Sequence, residues 1–157
     1  VVSRLIDMGI DKDVIYRRVY SNYSEDRMRL QGYVLNEKMQ VFPEMSTAII
    51  TLTQDELDRF HARKGDTEGF ANVLLTMNGI VLSVLFVERT GFVKMSLRSK
   101  GCFNANDLSR KCFNGGGHRN AAGGEMKGTI HEVVNHFENT LPSFRKELEE
   151  AARKIAK

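Results

Sequence analysis

Residues 80–98 read IVLSVLFVERTGFVKMSLR, and the fold class turns on this stretch. Residues 80–87 are apolar at every position except Ser83. A short run rich in Val and Leu, with no polar side to turn toward water, predicts a strand buried on both faces. Arg89-Thr90-Gly91 then turns the chain. Residues 92–98 alternate, with Val93, Met95 and Leu97 to one side and Lys94, Ser96 and Arg98 to the other. The two runs predict a β-hairpin, one strand of which carries a cationic side.

Working upstream, Asn78-Gly79 is a turn signal. Phe70, Val73, Leu74 and Met77 have helical spacing, and residues 65–69 (GDTEG) read as the turn before that helix. Thr53 and Glu56 form a capping box, so a helix opens there and is expected to end near Lys64-Gly65. Residues 47–52 are β-branched and aliphatic and predict a strand. Earlier still the chain reads as helical. Gly9 can end a helix holding Leu5, Ile6 and Met8. Asp11 can cap a second, with Val14, Ile15, Val19 and Tyr20, and Ser24 a third, over residues 25–39. Pro43 closes this region.

Downstream, Asn104 or Asn106 caps a helix containing Leu108 and Cys112. A glycine cluster follows, then a short strand near residues 125–127. Thr129 and Glu132 make a second capping box, and Val133, Val134 and Phe137 give that helix its apolar side. Pro142 starts the last helix, whose mixed charges predict a solvated face. The pattern predicts an α+β fold, with a mixed or antiparallel central sheet flanked by helices. Residues 1–43 are expected to be a helical lead-in and residues 44–157 the domain proper.

Composition narrows the function classes. The chain has 157 residues, 41% hydrophobic and 27% charged, with 2 Pro. That suits one core-forming domain with an extension, not a disordered segment. Its 23 basic and 20 acidic residues leave a net charge of +3, too balanced to indicate nucleic acid by itself. No apolar run approaches the roughly 20 residues of a membrane span. The N-terminus has no signal-peptide pattern and no initiator Met, so a cytoplasmic fragment of a longer chain is expected. Cys102 and Cys112 match no zinc or redox spacing and are expected to stay reduced.

Residues 115–124 (GGGHRNAAGG) are the most unusual segment. Three consecutive glycines are costly to order, because each loses much backbone freedom. The cost makes sense where backbone must approach a ligand or take positive φ. Consecutive N–H groups of Gly115, Gly116 and Gly117 can form an anion nest, and a helix opening over residues 118–122 would aim its N-terminus at the same point. A plain glycine turn is the alternative. Residues 94–100 (KMSLRSK) offer Arg98 as a two-point phosphate donor, with Lys94, Ser96, Ser99 and Lys100 beside it. A strand with one solvated face is the alternative there. His118 can donate to a phosphate or stack on a base. The remaining histidines, His61, His131 and His136, show no metal-ligand spacing, and Gly-x-Ser-x-Gly is absent.

Residues 115–123 resemble the GGGHxxAAG signature of the DHH-associated domain, and residues 94–101 (KMSLRSKG) resemble the strand before it. Residues 66–69 (DTEG) are similar to a segment of the oligoribonuclease/pAp-phosphatase, exopolyphosphatase-related branch of the DHH phosphoesterases. The helical lead-in is similar to the linker after the DHH domain. The resemblance implies the substrate-binding C-terminal part of a manganese-dependent phosphoesterase that hydrolyses short oligoribonucleotides or 3′-phosphoadenosine 5′-phosphate. Carried over, Arg98 and Ser99 would contact phosphate or nucleotide, Gly115, Gly116 and Gly117 would form the substrate loop, and His118 would stand near the scissile phosphate or terminal nucleotide. Lys94 and Lys100 join them on electrostatic grounds. Asn114 stands where many relatives have glycine, and Arg119 and Asn120 occupy variable positions that could tune substrate choice.

The Asp-His-His motif of the catalytic domain is not in this sequence. Manganese is therefore expected in a preceding DHH domain, with none bound here and no catalysis by this chain alone. Short RNA or nucleoside phosphates and that DHH domain are the expected partners, with no membrane. Relatives often dimerise through the catalytic domain, which leaves a homodimeric parent open. A stand-alone RNA-binding module, a part of a cyclic-dinucleotide phosphodiesterase and a polyphosphatase are the alternative readings.

Overall fold

The hairpin of residues 80–98 lies inside a six-stranded sheet. In the computed structural model, which describes residues 2–156, the strands are Met39–Phe42 (β1), Thr47–Leu52 (β2), Leu82–Arg89 (β3), Phe92–Ser99 (β4), Gly116–His118 (β5) and Ala121–Lys127 (β6). Their order is β1-β2-β3-β4-β6-β5. β2 and β3 pair in parallel and the other neighbours antiparallel, so the sheet is mixed. The helices are Val2–Asp7 (α1), Lys12–Tyr20 (α2), Glu25–Tyr33 (α3), Gln54–Arg59 (α4), Phe70–Leu74 (α5), Ala105–Cys112 (α6), Ile130–Thr140 (α7) and Arg145–Ile155 (α8). This is the expected α+β class.

Alternation along β4 sorts the two faces. Val93, Met95 and Leu97 are fully buried and join Val84 and Phe86 of β3 in one core. Leu108 of α6, Val133 and Phe137 of α7 and Leu148 of α8 close that face. On the other face, Ile50 and Leu52 of β2 and Leu85 and Val87 of β3 pack with Leu30 of α3, Leu57 of α4 and Phe70 and Leu74 of α5. This second core stops at β3. Lys94, Ser96 and Arg98 of β4 lie just beyond it.

The helix starts follow the caps read from sequence. Asp11 accepts from Asp13 and Val14 amides, Ser24 from Arg27, and Asn104, not Asn106, caps α6. Both capping boxes are reciprocal, at Thr53 with Glu56 and at Thr129 with Glu132.

Several expectations need correction. The third helix ends at Tyr33, and a π-helical turn, Val34–Lys38, leads into β1. Leu30 and Val34 are fully buried and β1 pairs with β2, so residues 25–42 pack against the sheet. α4 stops at Arg59, because His61 takes a left-handed φ of 50° that a helix cannot contain. The helix expected over residues 118–122 is a β-hairpin instead, with Arg119 and Asn120 at its turn. The strand expected at residues 125–127 extends back to Ala121, because β4 pairs with β6 along its full length. Pro142 opens a short 3-10 turn, Leu141–Phe144, ahead of α8.

The π-helical turn is tied to α4 through Glu56. Its carboxylate receives Lys38 Nζ at 2.7 Å, the Tyr33 hydroxyl at 2.7 Å and the Thr53 amide at 2.8 Å. Burial alone would raise this carboxyl, but the three donors outweigh it and hold it below its ordinary value. A carboxylate lowered in the folded state stabilises above its unfolded pKa of about 4.3 and loses that contribution as pH falls through the folded value. Glu56→Gln should therefore cost about 1–2 kcal/mol at pH 7 and much less at pH 3. Urea denaturation at the two pH values measures this, and an equal cost at both would remove the charge from the account.

Candidate functional site

The strand register assembles the site row by row. Directly opposite partners on neighbouring strands share a face. Lys94 stands opposite Glu125, Ser96 opposite Gly123, and Arg98 opposite Ala121. On the next strand Gly116 stands opposite Gly123 and His118 opposite Ala121. Arg98 and His118 therefore share a face with only Ala121 between them, two strand spacings or about 10 Å apart. The floor between them is small residues, Gly116, Ala121 and Gly123, which leave the backbone open to a ligand.

The edge of the second core supplies a facing wall. After α4 the chain runs through Arg63, Lys64 and Thr67 to α5, and a groove of about 820 Å³ lies between this segment and β4. Leu85 and Val87 of β3 line its base. Five cationic side chains, Arg63, Lys64, Arg89, Lys94 and Arg98, and a single carboxylate, Glu68, line it. Such a surplus in a concave site focuses a positive potential and attracts anions. Arg98 is half-buried, and its Nη1 donates to Leu97 O at 2.9 Å and Ala122 O at 3.5 Å. Among the described residues neither Nε nor Nη2 has an acceptor, which keeps the planar fork available for a phosphate or carboxylate. Lys94 is exposed.

Not every residue singled out in the sequence reaches this face. Ser99 is 6% exposed and points to the opposite side, donating to Phe103 O at 3.0 Å and accepting from Asn120 Nδ2 at 2.9 Å. The alternation that exposes Lys94, Ser96 and Arg98 requires this. Lys100 reaches back toward the end of α5, with Nζ 3.5 Å from Met77 O, and does not line the groove. His118 is exposed and shares the sheet face but stands outside the groove lining.

The glycines divide by role. Gly115 and Gly117 are packing glycines. A Cβ on Gly115 would lie 2.0 Å from Ser109 Oγ, and one on Gly117, whose φ is +144°, would lie 2.6 Å from Ala121 O. Gly116 alone is open, with Asn106 Oδ1 its nearest neighbour at 3.9 Å. The anion nest does not form, because the segment is extended strand and the Gly115 amide already donates to Ser109 O. Asn114 adopts a left-handed φ of 47°, which explains a glycine-like position. Arg119 donates to Cys102 O and Asn120 to Ser99 and Gly101, holding the hairpin turn to residues 99–103.

Sequence reading missed Arg63, Lys64 and Arg89 of the groove. The adjacent cations Arg63-Lys64 ahead of a glycine turn were the available signal. Asp66 lies in the turn read from residues 65–69, and its carboxylate closes that turn by receiving the Arg63 amide at 2.7 Å.

Among the described residues no three His, Cys, Asp or Glu side chains come together as a metal site. His136 Nε2 is engaged 3.2 Å from Cys112 O. The described residues therefore do not fit the manganese ions that the resemblance implies. Among them, too, no helix is long and apolar enough to cross a membrane.

Comparison with known proteins agrees with this layout. The DHHA1 domain model matches residues 46–154. The bifunctional oligoribonuclease and PAP phosphatase NrnA of Thermus thermophilus is 35% identical over 86 residues, which is 55% of this chain and 26% of that protein. A 3′,5′-cyclic-nucleotide phosphodiesterase of Helicobacter pylori is 40% identical over 83 residues, 53% of this chain and 23% of that protein. Among solved structures, an exopolyphosphatase-related protein from Bacteroides fragilis superposes with a TM-score of 0.91 at 47% identity, covering 94% of this chain and 43% of that one. The chain thus spans about a quarter of the curated relatives and under half of that crystal structure. With the signature glycines, the six-stranded sheet and the family match in agreement, the chain belongs to the DHHA1 domain family.

Proposed function

We propose that this chain is the substrate-binding part of a phosphoesterase acting on short oligoribonucleotides or 3′-phosphoadenosine 5′-phosphate. The observation that carries the reading is the groove beside β4, with five cations to one carboxylate and the free donor fork of Arg98. Arg98 would hold a phosphate through two parallel hydrogen bonds, Lys94 would add a point charge, and His118 would donate to phosphate or stack on a base. Manganese, and with it the activation of water, would come from a DHH domain beyond these residues.

The test is a titration of the chain with a short RNA and with adenosine 3′,5′-bisphosphate at low salt, following amide shifts. Shifts should centre on residues 94–98 and 116–123. Arg98→Ala should weaken both ligands by about tenfold or more, the worth of a charge-assisted hydrogen bond, without moving the thermal midpoint. His118→Ala should weaken them less. If the shifts instead spread over α1 and α2, the RNA-binding module is the better description.

A further inference from the structure

The groove has two walls, and the reading above uses only β4. The facing wall, residues 61–69, is built from consecutive turns. Asp66 donates its amide to Arg63 O at 3.0 Å, Glu68 to Gly65 O at 2.9 Å, and Phe70 to Thr67 O at 3.4 Å. Gly65 and Gly69 take φ values of +101° and +87°, which only glycine adopts at little cost. Arg63 and Lys64 are exposed on this wall, and among the described residues neither forms an ion pair.

A buried charge fixes the wall from behind. Arg27 of α3 is 6% exposed, and its Nη2 donates to Glu68 O at 2.7 Å. Its guanidinium lies 3.6 Å from the centre of the Tyr23 ring and 5.5 Å from that of Phe70. Nη1 is buried without an acceptor, and among the described residues no carboxylate pairs with it. A buried guanidinium without an acid is costly, and two ring faces with one carbonyl offset only part of that cost. For packing alone an apolar side chain would serve. What Arg27 does that an apolar residue could not is hold the Glu68 carbonyl, and with it the wall bearing Arg63 and Lys64.

We infer that Arg63 and Lys64 form a second anion subsite across the groove from Lys94 and Arg98, kept in place by Arg27 as a positioning residue. The ligand therefore carries at least two phosphoryl groups, one for each wall. The volume supports this, because about 820 Å³ is in the range of pockets that hold whole organic ligands. The apolar base at Leu85 and Val87 separates two cationic groups, so one small anion at either wall leaves the other uncompensated. The inference rests on the phosphate reading of β4.

Two probes that differ by one phosphoryl group, adenosine 5′-monophosphate and adenosine 3′,5′-bisphosphate, decide it by calorimetric titration of the full chain. The bisphosphate should bind about tenfold tighter or more, the worth of one charge-assisted contact. In the double variant Arg63→Ala, Lys64→Ala most of that preference should vanish, while the monophosphate affinity stays within about twofold. Bisphosphate binding should also depend less on salt in that variant, because two of the cations that attract the ligand are gone. Arg27→Met should reduce the preference and speed amide exchange at residues 63–70 but not in β4, and Arg27→Lys should restore part of both. If Arg27→Met does not fold, the double variant, which alters only exposed side chains, still decides. A preference that survives in the double variant, or equal wild-type affinities, overturns the subsite and leaves the β4 reading standing. No binding of either probe, or shifts remote from Arg98, overturns both.

Discussion

Gly115→Ala should cost about 3 kcal/mol or more and displace the glycine hairpin from the binding face. The added methyl would stand 2.0 Å from Ser109 Oγ, 2.1 Å from Gly123 O and 2.7 Å from Gly124 Cα. Two of the three obstacles are backbone, so no side chain can simply swing aside. The third, Ser109, is fully buried and donates to Gly123 O at 2.7 Å. Relief requires α6 to lift from the sheet and the segment entering β5 to move away from β6. Parting β5 from β6 breaks the row that joins Arg98 to His118. Gly116→Ala is the control, since its nearest neighbour is 3.9 Å away, and it should cost less than about 1 kcal/mol. Urea denaturation of both variants measures the difference. Equal costs would mean that α6 does not pack on the hairpin as described.

Phe137→Ala should cost about 3–5 kcal/mol, the usual penalty for emptying a buried phenylalanine site. Phe137 is fully buried, edge-on to Phe86 of β3 with ring centres 5.4 Å apart, and 6.3 Å from the ring of Phe113. Edge-on aromatic pairs add about 0.5–1.5 kcal/mol beyond area burial. Few domains exceed about 5–15 kcal/mol in total, so the variant should be marginal at 37 °C. Phe113 lies two residues before the glycine segment, and its carbonyl accepts from the Glu125 amide, so the damage should reach the hairpin. Loss of less than 1 kcal/mol by chemical denaturation would place Phe137 outside the main core.

The central hairpin was legible because each strand had a single reading. Residues 82–87 are apolar apart from Ser83, and residues 93–98 alternate without an exception. The caps at Asp11, Ser24, Thr53, Asn104 and Thr129 were legible for a local reason, since the side chain and the amide it serves lie within three residues. β6 was not legible over most of its length. Its sequence AAGGEMK has no β-branched residue, and Ala-Ala read as helix. Pairing with β4, which lies far away in sequence, overrode that local preference. β1 was hidden likewise, as four residues directly after a helical stretch.

The site divided along the same line. Lys94 and Arg98 were visible through alternation, and His118 through its glycine neighbours. Ser99 was expected beside Arg98 but points to the opposite side of the sheet, because a resemblance carries residue identity but not side-chain direction. Arg63 and Lys64 were missed because their partners across the groove are set by the crossover between two parallel strands, which no local pattern reports.

Alternation along β4 also ties correct folding to correct presentation of the ligand face. Sliding β4 by one residue against β3 would turn Val93, Met95 and Leu97 to the groove and drive Lys94 and Arg98 among Phe86, Phe113 and Phe137. Two unpaired cations in that interior would cost several kcal/mol each. A misaligned copy is therefore not expected to persist as a stable but inert species; it should stay unfolded and open to proteolysis. Cells would thus find nearly every surviving copy competent, and a loss of abundance would be the more common outcome of a damaging substitution in this strand than a loss of affinity.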